Sequence, residues 1–395
     1  MPTSTNESPS PAGVEPVPSS AAGQRPIAPA VHRRAIIVDG HCDTPYRLLR
    51  HNVHLDEHDT EAQADLGSLL ESGITASFFA AYVPPFYAGR GAADFARRLI
   101  RLIHEEATRL PAQLVVGTSA RAIRDAKTAC RIALMIGVEG GHAIEDSLDI
   151  LRELYDSGAR YLTLTHVNTN NWADSSGDGG RHGGLTDFGR SVVRTMNDLG
   201  MIVDVSHVAD STYYHVLETT RTPVVATHSS CRALCNHPRN MTDAMLRDLA
   251  SNGGICMINF FSAFLNSEVA TVLKKAQKRP RGNDGPGGTE EVPDDRVDWQ
   301  SYVEWFRSLG CPTATLDDAV DHVLHAAEVA GIDHVGIGSD FDGVPALPDG
   351  LSNASFLPAL TSRLLERGLS EMDVEKVLGL NFLRVFESIE SAKKN

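Results

Sequence analysis

The stretch AIIVDGHCDTP, residues 35–45, decides the fold, because it joins a short apolar segment directly to a cluster of polar side chains. Its first four residues predict a buried strand. Since residues i and i+2 of a strand face the same side, His41 and Asp43 point together and Cys42 points away. An imidazole beside a carboxylate at a strand's C-terminal end suits a divalent transition metal. A hydrogen-bonded turn is an equally good interpretation of this stretch alone, so the rest of the chain must decide.

The composition is that of a soluble globular protein. The chain has 395 residues, 42% hydrophobic and 22% charged, which allows one large barrel or two ordinary domains. The formal charge of −15 argues against a nucleic-acid partner, because phosphates require a basic surface. No apolar run approaches the roughly 18–20 residues that span a bilayer, so no membrane partner is expected. The six cysteines form no Cys-x-x-Cys pair, and we expect a cytoplasmic protein.

Two segments depart from globular composition. Residues 1–30 are rich in Pro, Ser, Ala and Gly, and we expect a disordered N-terminal tail. Residues 31–395 are then one hydrolase domain, interrupted by an insertion at about 266–312 whose charged part, 274–298, has almost no large apolar side chain.

Apolar strands alternate with amphipathic helices along this domain. A count of eight predicts a closed (β/α)8 or TIM barrel, with C-terminal helices and a loop insertion after strand seven. An open doubly wound sheet is the alternative, but it usually binds its ligand at one switch point, whereas six of these strands end in polar residues. The predicted strands are 35–43, 74–83, 131–139, 161–166, 201–207, 224–229, 254–260 and 334–340. The predicted helices include 92–110, 147–157, 186–199, 353–367, 370–378 and 381–391.

The polar strand ends predict a site for two metal ions. Four histidines and three carboxylates on one rim would be costly to desolvate unless cations neutralised them. Two metals roughly 3.5 Å apart need a bridging ligand, for which a carboxylate is suited. We assign the bridge to Glu139, and expect a hydroxide between the metals to act as nucleophile, since metals lower the pKa of water to about 7. One metal takes His41, Asp43 and Glu139, and the other takes Glu139, His207 and His228.

Three further residues are assigned to catalysis and substrate binding. Asp340 is the expected proton shuttle, with a metal-ligand role as the alternative, and His166 is the expected donor to the oxyanion. Arg239 suits a substrate carboxylate, although a surface pair with Asp243 is the other interpretation. Asp342 and Asp204 are weaker candidates, and Asp204 should face away from His207 because their separation is odd.

Seven short motifs in this order resemble the membrane dipeptidase (renal dipeptidase) family of the amidohydrolase superfamily, from about residue 35 to 390. The motifs are HCDTP, GVEGG, LTLTH, DVSH, THSS, HPRNM and GSDFDGV. The resemblance implies a barrel with two Zn²⁺ per subunit that hydrolyses dipeptides, often with a D-residue at the C-terminal position. Carried over by position, the zinc ligands are His41, Asp43, Glu139, His207 and His228, while His166 contacts the scissile carbonyl, Arg239 holds the substrate carboxylate and Asp340 is the acid/base.

The chain departs from animal members of that family. It lacks their secretion, disulfide and lipid-anchor signals, so it resembles bacterial members without anchors, and a homodimer is compatible with the resemblance. The segment NFFSAFL carries phenylalanines where animal members have tyrosines near the substrate. These differences bear on which side chains the substrate carries, not on the chemistry.

Three hypotheses follow, and the first is favoured. It is a dinuclear zinc dipeptidase acting on an L-residue followed by an L- or D-residue. The second is another binuclear amidohydrolase acting on a cyclic amide, lactone or phosphotriester; many of those use a carboxylated lysine as bridge, and no lysine ends a strand here. The third is a metal-free binding or scaffold protein, which the five filled ligand positions disfavour.

Overall fold

A nine-stranded parallel sheet forms the centre of the molecule. The computed structural model describes residues 26–57, 59, 62–277 and 299–394. The strands are β1 (Val38–Cys42), β2 (Ala76–Tyr82), β3 (Leu114–Gly117), β4 (Ile132–Glu139), β5 (Ala159–Thr163), β6 (Ile202–Asp204), β7 (Val225–Ala226), β8 (Ile255–Ile258) and β9 (Val335–Ile337).

Eight of these strands close into a barrel, which confirms the predicted fold. The order is β2-β1-β9-β8-β7-β6-β5-β4, and the pairing of β2 with β4 completes the ring. The ninth strand, β3, pairs with the first half of β4, whose second half pairs with β5. The sequence-based prediction missed β3 because it is only four residues long and half of it is only partly buried.

Helices surround the barrel and close one end of it. The predicted helices after the last strand are present, and Phe382 of the C-terminal helix packs edge-on against Phe78 of β2 with ring centroids 5.3 Å apart. This contact seals the N-terminal end of the barrel, which leaves the opposite mouth for the polar residues. The helices are α1 (Ala30–Arg34), α2 (Thr44–His51), α3 (Leu66–Glu71), α4 (Ala92–Arg109), α5 (Ala120–Thr128), α6 (Leu148–Asp156), α7 (Asp187–Leu199), α8 (Asp210–Thr219), α9 (Asp243–Ser251), α10 (Ser262–Leu265), α11 (Ser267–Gln277), α12 (Trp299–Ser308), α13 (Leu316–Ala330), α14 (Leu357–Glu366), α15 (Glu371–Glu375) and α16 (Asn381–Ser391).

The two segments of unusual composition are only partly described. Residues 1–25 of the predicted tail and residues 278–298 of the predicted insertion lie outside the described residues. The described parts of the insertion include α11 and α12, and Phe306 of α12 packs against Phe261 with ring centroids 5.7 Å apart. Among the helices of the described chain, none combines the length and the apolar character needed to cross a bilayer.

The strands are shorter than predicted at the mouth of the barrel. Polar residues counted as strand ends, such as His166 and His207, lie in loops beyond β5 and β6. His207 has a positive φ of 69° and Asp340 one of 63°, a left-handed backbone that is rare for residues other than glycine. The chain therefore leaves the regular strand geometry where the chemistry-bearing side chains begin.

Candidate functional site

Glu139 lies at the centre of a cluster of imidazoles and carboxylates at the barrel mouth. One of its oxygens, Oε2, lies 3.6 Å from Nε2 of His41. The same nitrogen lies 3.3 Å from Oδ2 of Asp43 and 4.0 Å from Oδ1 of Asp340. All four side chains are buried, and Oδ1 of Asp43 has no hydrogen-bond partner within the described chain. This half of the cluster thus combines one imidazole with three carboxylates.

The other oxygen of Glu139 faces two further histidines, His207 and His228. Oε1 lies 3.1 Å from Nε2 of His207 and 3.4 Å from Nε2 of His228, and these two nitrogens are 2.9 Å apart. Burial opposes ionisation of Glu139, but the surrounding histidines, His41 first, hold the pKa of its carboxyl well below the usual range. The glutamate is therefore an anion with one oxygen directed to each half of the cluster.

The donor atoms form groups that could hold a metal ion. Each of three overlapping trios has its nitrogen and oxygen atoms within 4.8 Å of one another. Imidazole nitrogens and carboxylate oxygens are ligands that zinc takes, and a carboxylate with both oxygens engaged can bridge two ions. The unpartnered Oδ1 of Asp43 adds a buried acceptor without a donor, which a bound cation would satisfy. The trios are His41, Glu139 and His228; Glu139, His166 and His207; and His41, Asp43 and Asp340.

Asp340 is held at the edge of the first half of the cluster. Nδ2 of Asn259 donates to its Oδ2 at 2.7 Å, which leaves Oδ1 directed toward His41. Burial raises the pKa of the Asp340 carboxyl. Gly343 packs against this carboxylate and that of Asp43, because a Cβ there would lie 2.1 Å from Oδ2 of Asp43 and 2.4 Å from Oδ1 of Asp340. Gly343, the last glycine of the GSDFDG motif, is thus required because any side chain there would clash with these two carboxylates.

His166 lies at the rim of the second half and is more exposed to solvent than the other three histidines of the cluster. Its Nε2 is 4.0 Å from Oε1 of Glu139, and its Nδ1 is a buried atom without a partner among the described residues. Its ring contacts that of Tyr82 at 4.7 Å between centroids. Burial lowers the pKa of His166 to about 4, so the imidazole is neutral near pH 7.

Arg239 is buried beside this cluster and lacks a carboxylate partner. Its guanidinium donates to the backbone oxygen of His228 at 3.1 Å and to Oγ of Ser229 at 3.4 Å, and it lies 5.3 Å from the ring centre of Phe264. Within the described chain no carboxylate forms a salt bridge with it, and its Nε has no partner. Burial lowers its pKa to about 10. The alternative of a surface pair with Asp243 is wrong, since that carboxylate binds His325 at 2.9 Å.

The two weaker carboxylate candidates lie outside the cluster. Asp342 accepts hydrogen bonds from Thr44 at 2.6 Å and from Arg47 at 3.0 Å, so it forms a structural ion pair with Arg47. Asp204 is fully buried within the barrel and accepts hydroxyl groups from Thr163 and Thr227. Neither carboxylate belongs to the potential metal-binding trios.

Sequence reasoning missed the residues that orient the cluster. The hydroxyl of Tyr161 lies 2.7 Å from Nδ1 of His41, and that of Thr227 lies 2.8 Å from Nδ1 of His228. Gly137 leaves room for the ring of Tyr161, because a Cβ there would lie 1.9 Å from that ring. The signals in the sequence are that Tyr161 interrupts an apolar strand, that Thr227 and Asn259 each follow one directly, and that Thr227 opens the THSS motif.

Comparisons with known proteins agree with this architecture. Residues 26–395 match the model of the membrane dipeptidase family, peptidase family M19. Dipeptidase verJ of Clonostachys rogersoniana is 34% identical over 372 residues, covering 90% of this chain and 84% of the relative. The uncharacterized dipeptidase C965.12 of Schizosaccharomyces pombe is 33% identical over 385 residues, covering 91% and 81%. The crystal structure of the probable dipeptidase PvdM from Pseudomonas aeruginosa superposes with a TM-score of 0.78 at 26% identity, covering 92% of this chain and 97% of that one.

Proposed function

Because the chain belongs to the membrane dipeptidase family, peptidase family M19, whose members are metal-dependent hydrolases of peptide bonds, we propose that it is a dinuclear zinc dipeptidase acting on free dipeptides, L-Xaa-D-Xaa among them. His41, Asp43 and Glu139 would hold one cation, and Glu139, His207 and His228 the other. The donor set supports this assignment because Glu139 presents one oxygen to each group.

The buried, unpaired guanidinium of Arg239 carries the substrate assignment. A cation removed from water without a counter-ion is costly, so this position favours an anionic ligand. A free dipeptide supplies a carboxylate one residue beyond its only peptide bond, and guanidinium groups bind carboxylates through paired N–H donors. The position beside the backbone of His228 supports binding of that carboxylate next to the metal centre.

The chain's own residues suggest a division of labour in hydrolysis. When bound, the two cations would activate a water molecule and polarise the scissile carbonyl. Arg239 would fix the substrate carboxylate, and His166 would hold the carbonyl oxygen as negative charge develops there. Asp340, oriented by Asn259, would take the proton that water loses as its oxygen bonds to the carbonyl carbon. The same proton would pass to the leaving nitrogen as the C–N bond breaks.

The other hypotheses receive less support. Action on a cyclic amide, lactone or phosphotriester would not require the buried cation at Arg239, since those substrates need carry no free carboxylate. A metal-free scaffold would leave the buried acceptor of Asp43 unsatisfied. A homodimer and a cytoplasmic location stay predictions of the sequence.

Comparing a dipeptide with its C-terminal amide tests the role of Arg239. We expect wild type to cleave L-Ala-D-Ala and to show a much higher KM for the amide, because the amide has no carboxylate to pair. Arg239→Ala should raise KM for the free dipeptide by about 10–100-fold, the effect of losing a charged hydrogen bond worth roughly 1.5–3 kcal/mol, and should no longer distinguish the two substrates. Metal content should stay at the wild-type level.

Matched kinetics with surface Arg247→Ala supply the control, since this arginine is exposed on α9. If Arg239→Ala kept the wild-type preference for the free carboxylate, the clamp role would be refuted. If zinc-loaded wild type left a panel of L-Xaa-D-Xaa dipeptides intact, the substrate assignment would be wrong.

A further inference from the structure

Asp204 is the last residue of β6, is fully buried, and accepts hydrogen bonds from four donors. Its Oδ1 accepts from the backbone N–H groups of Ser206 and Thr227, both at 3.0 Å. Its Oδ2 accepts the hydroxyl groups of Thr163 at 2.6 Å and Thr227 at 2.7 Å. Every neighbour is a donor, so the carboxylate acts only as an acceptor.

This arrangement determines which ring nitrogen of His228 carries hydrogen. The hydroxyl of Thr227 has one hydrogen, and it points to Asp204. Its oxygen can therefore only accept a hydrogen from Nδ1 of His228, 2.8 Å away. The imidazole is then protonated at Nδ1 and has its lone pair on Nε2. That lone pair faces Oε1 of Glu139 at 3.4 Å, the direction a metal ligand requires.

We propose that Asp204 and Thr227 form a carboxylate–hydroxyl–imidazole relay that positions His228 for one of the two cations. The proposal rests on the two-cation site proposed above. It assigns a role to two residues outside the ligand set, Asp204 and Thr227, which are the first residues of the DVSH and THSS motifs. Outer-shell partners of this kind hold a ligating imidazole in one orientation and one tautomer, and they increase its basicity.

The three histidines of the proposed ligand set differ in this support. Nδ1 of His41 meets only the neutral hydroxyl of Tyr161. Nδ1 of His207 is buried and has no partner among the described residues. His228 alone of the three is linked through one hydroxyl to a carboxylate. Support for the cation held by His207 and His228 therefore comes mainly through the relay.

The barrel supplies a matched pair of variants for testing the relay. Thr163 and Thr227 are both fully buried and both donate to Oδ2 of Asp204, but only Thr227 reaches a histidine. Valine is nearly isosteric with threonine, so Thr163→Val and Thr227→Val each remove one hydroxyl and one hydrogen bond to the same oxygen. A purely structural role predicts similar effects of the two changes.

Zinc affinity, measured by competition with a chelator, is the deciding readout. We expect Thr227→Val to weaken retention of one zinc equivalent by about 10–100-fold. The zinc affinity of Thr163→Val should stay much closer to that of wild type, although both variants should lose a similar amount of thermal stability in the zinc-free form. Thr227→Ser, which keeps the hydroxyl, should restore most of the affinity.

Asp204→Asn gives an independent test, because it should reverse the relay. The backbone N–H groups at Oδ1 require the amide oxygen there, so the amide NH₂ would face the two threonine hydroxyls. Thr227 would then accept from the amide and donate to Nδ1 of His228, which shifts the imidazole hydrogen to Nε2, where the cation would bind. We expect zinc affinity at least as weak as in Thr227→Val.

Equal zinc affinities in Thr163→Val and Thr227→Val, or wild-type affinity in Asp204→Asn, would overturn the relay. Fewer than two zinc equivalents in wild type would instead contradict the proposed function, and the comparison of the two valine variants would still decide the relay.

Discussion

Glu139→Gln is expected to give a folded protein that no longer retains two zinc ions and no longer hydrolyses dipeptides. Both oxygens of Glu139 are engaged, one 3.6 Å from His41 and the other 3.1 Å from His207. An amide keeps the shape but replaces one oxygen with an NH₂ donor and removes the negative charge. The NH₂ donor would face imidazole lone pairs or a cation. The loss of zinc affinity should therefore exceed the roughly 10–100-fold loss that follows removal of an outer-shell partner.

Metal analysis after dialysis, together with dipeptide turnover, measures this effect. Glu106→Gln is the matched control, because Glu106 is equally buried but binds His54 and Arg109 away from the barrel mouth. It should lower thermal stability and leave the zinc content unchanged. Two tightly held zinc ions and wild-type turnover in Glu139→Gln would show that this glutamate is not the bridge.

Asp340→Asn is expected to retain zinc and lose turnover. The side chain lies 4.0 Å from His41 through Oδ1, while Asn259 engages Oδ2, so the free oxygen faces the centre of the cluster. An amide cannot accept and return a proton. General acid–base catalysis contributes about 10²–10⁴-fold, and we expect kcat to fall by that factor with little change in KM.

Steady-state kinetics and zinc content distinguish the two roles of Asp340. Asp342→Asn serves as the contrast, because that neighbouring carboxylate pairs with Arg47 outside the cluster. It should lower thermal stability and leave kcat of the zinc-loaded enzyme near wild type. Loss of zinc from Asp340→Asn would make Asp340 a metal ligand, the alternative that the strand-end pattern leaves open.

The barrel could be predicted because each strand and helix leaves its own pattern of apolar and polar residues in a short stretch of sequence. Each predicted strand contains an apolar run, six of the eight runs end abruptly in polar residues, and the alternation with helices is regular. The prediction missed β3 and α5, which are short and separated by only two residues. It also extended strands through His166 and His207, since residue type does not reveal where hydrogen bonding between strands stops.

The candidate site was predictable as a set of residues but not as a network. Histidines and carboxylates after strands are visible in the sequence, and the described structure brings all seven together. Burial of Arg239 is not visible, because an arginine in a polar loop usually lies at the surface. The threonines around Asp204 resemble ordinary strand residues. The prediction that Asp204 faces away from His207 is also wrong, because the left-handed backbone at His207 breaks the alternation of side chains along the strand.

Zinc titration of the metal-stripped enzyme tests the central claim most directly. The two cation sites share one bridging carboxylate, so we expect hydrolysis of an L-Xaa-D-Xaa dipeptide to be absent without metal and to reach its maximum at two equivalents of zinc per chain. Full activity in the stripped enzyme, or no hydrolysis after two equivalents have bound, would contradict the account.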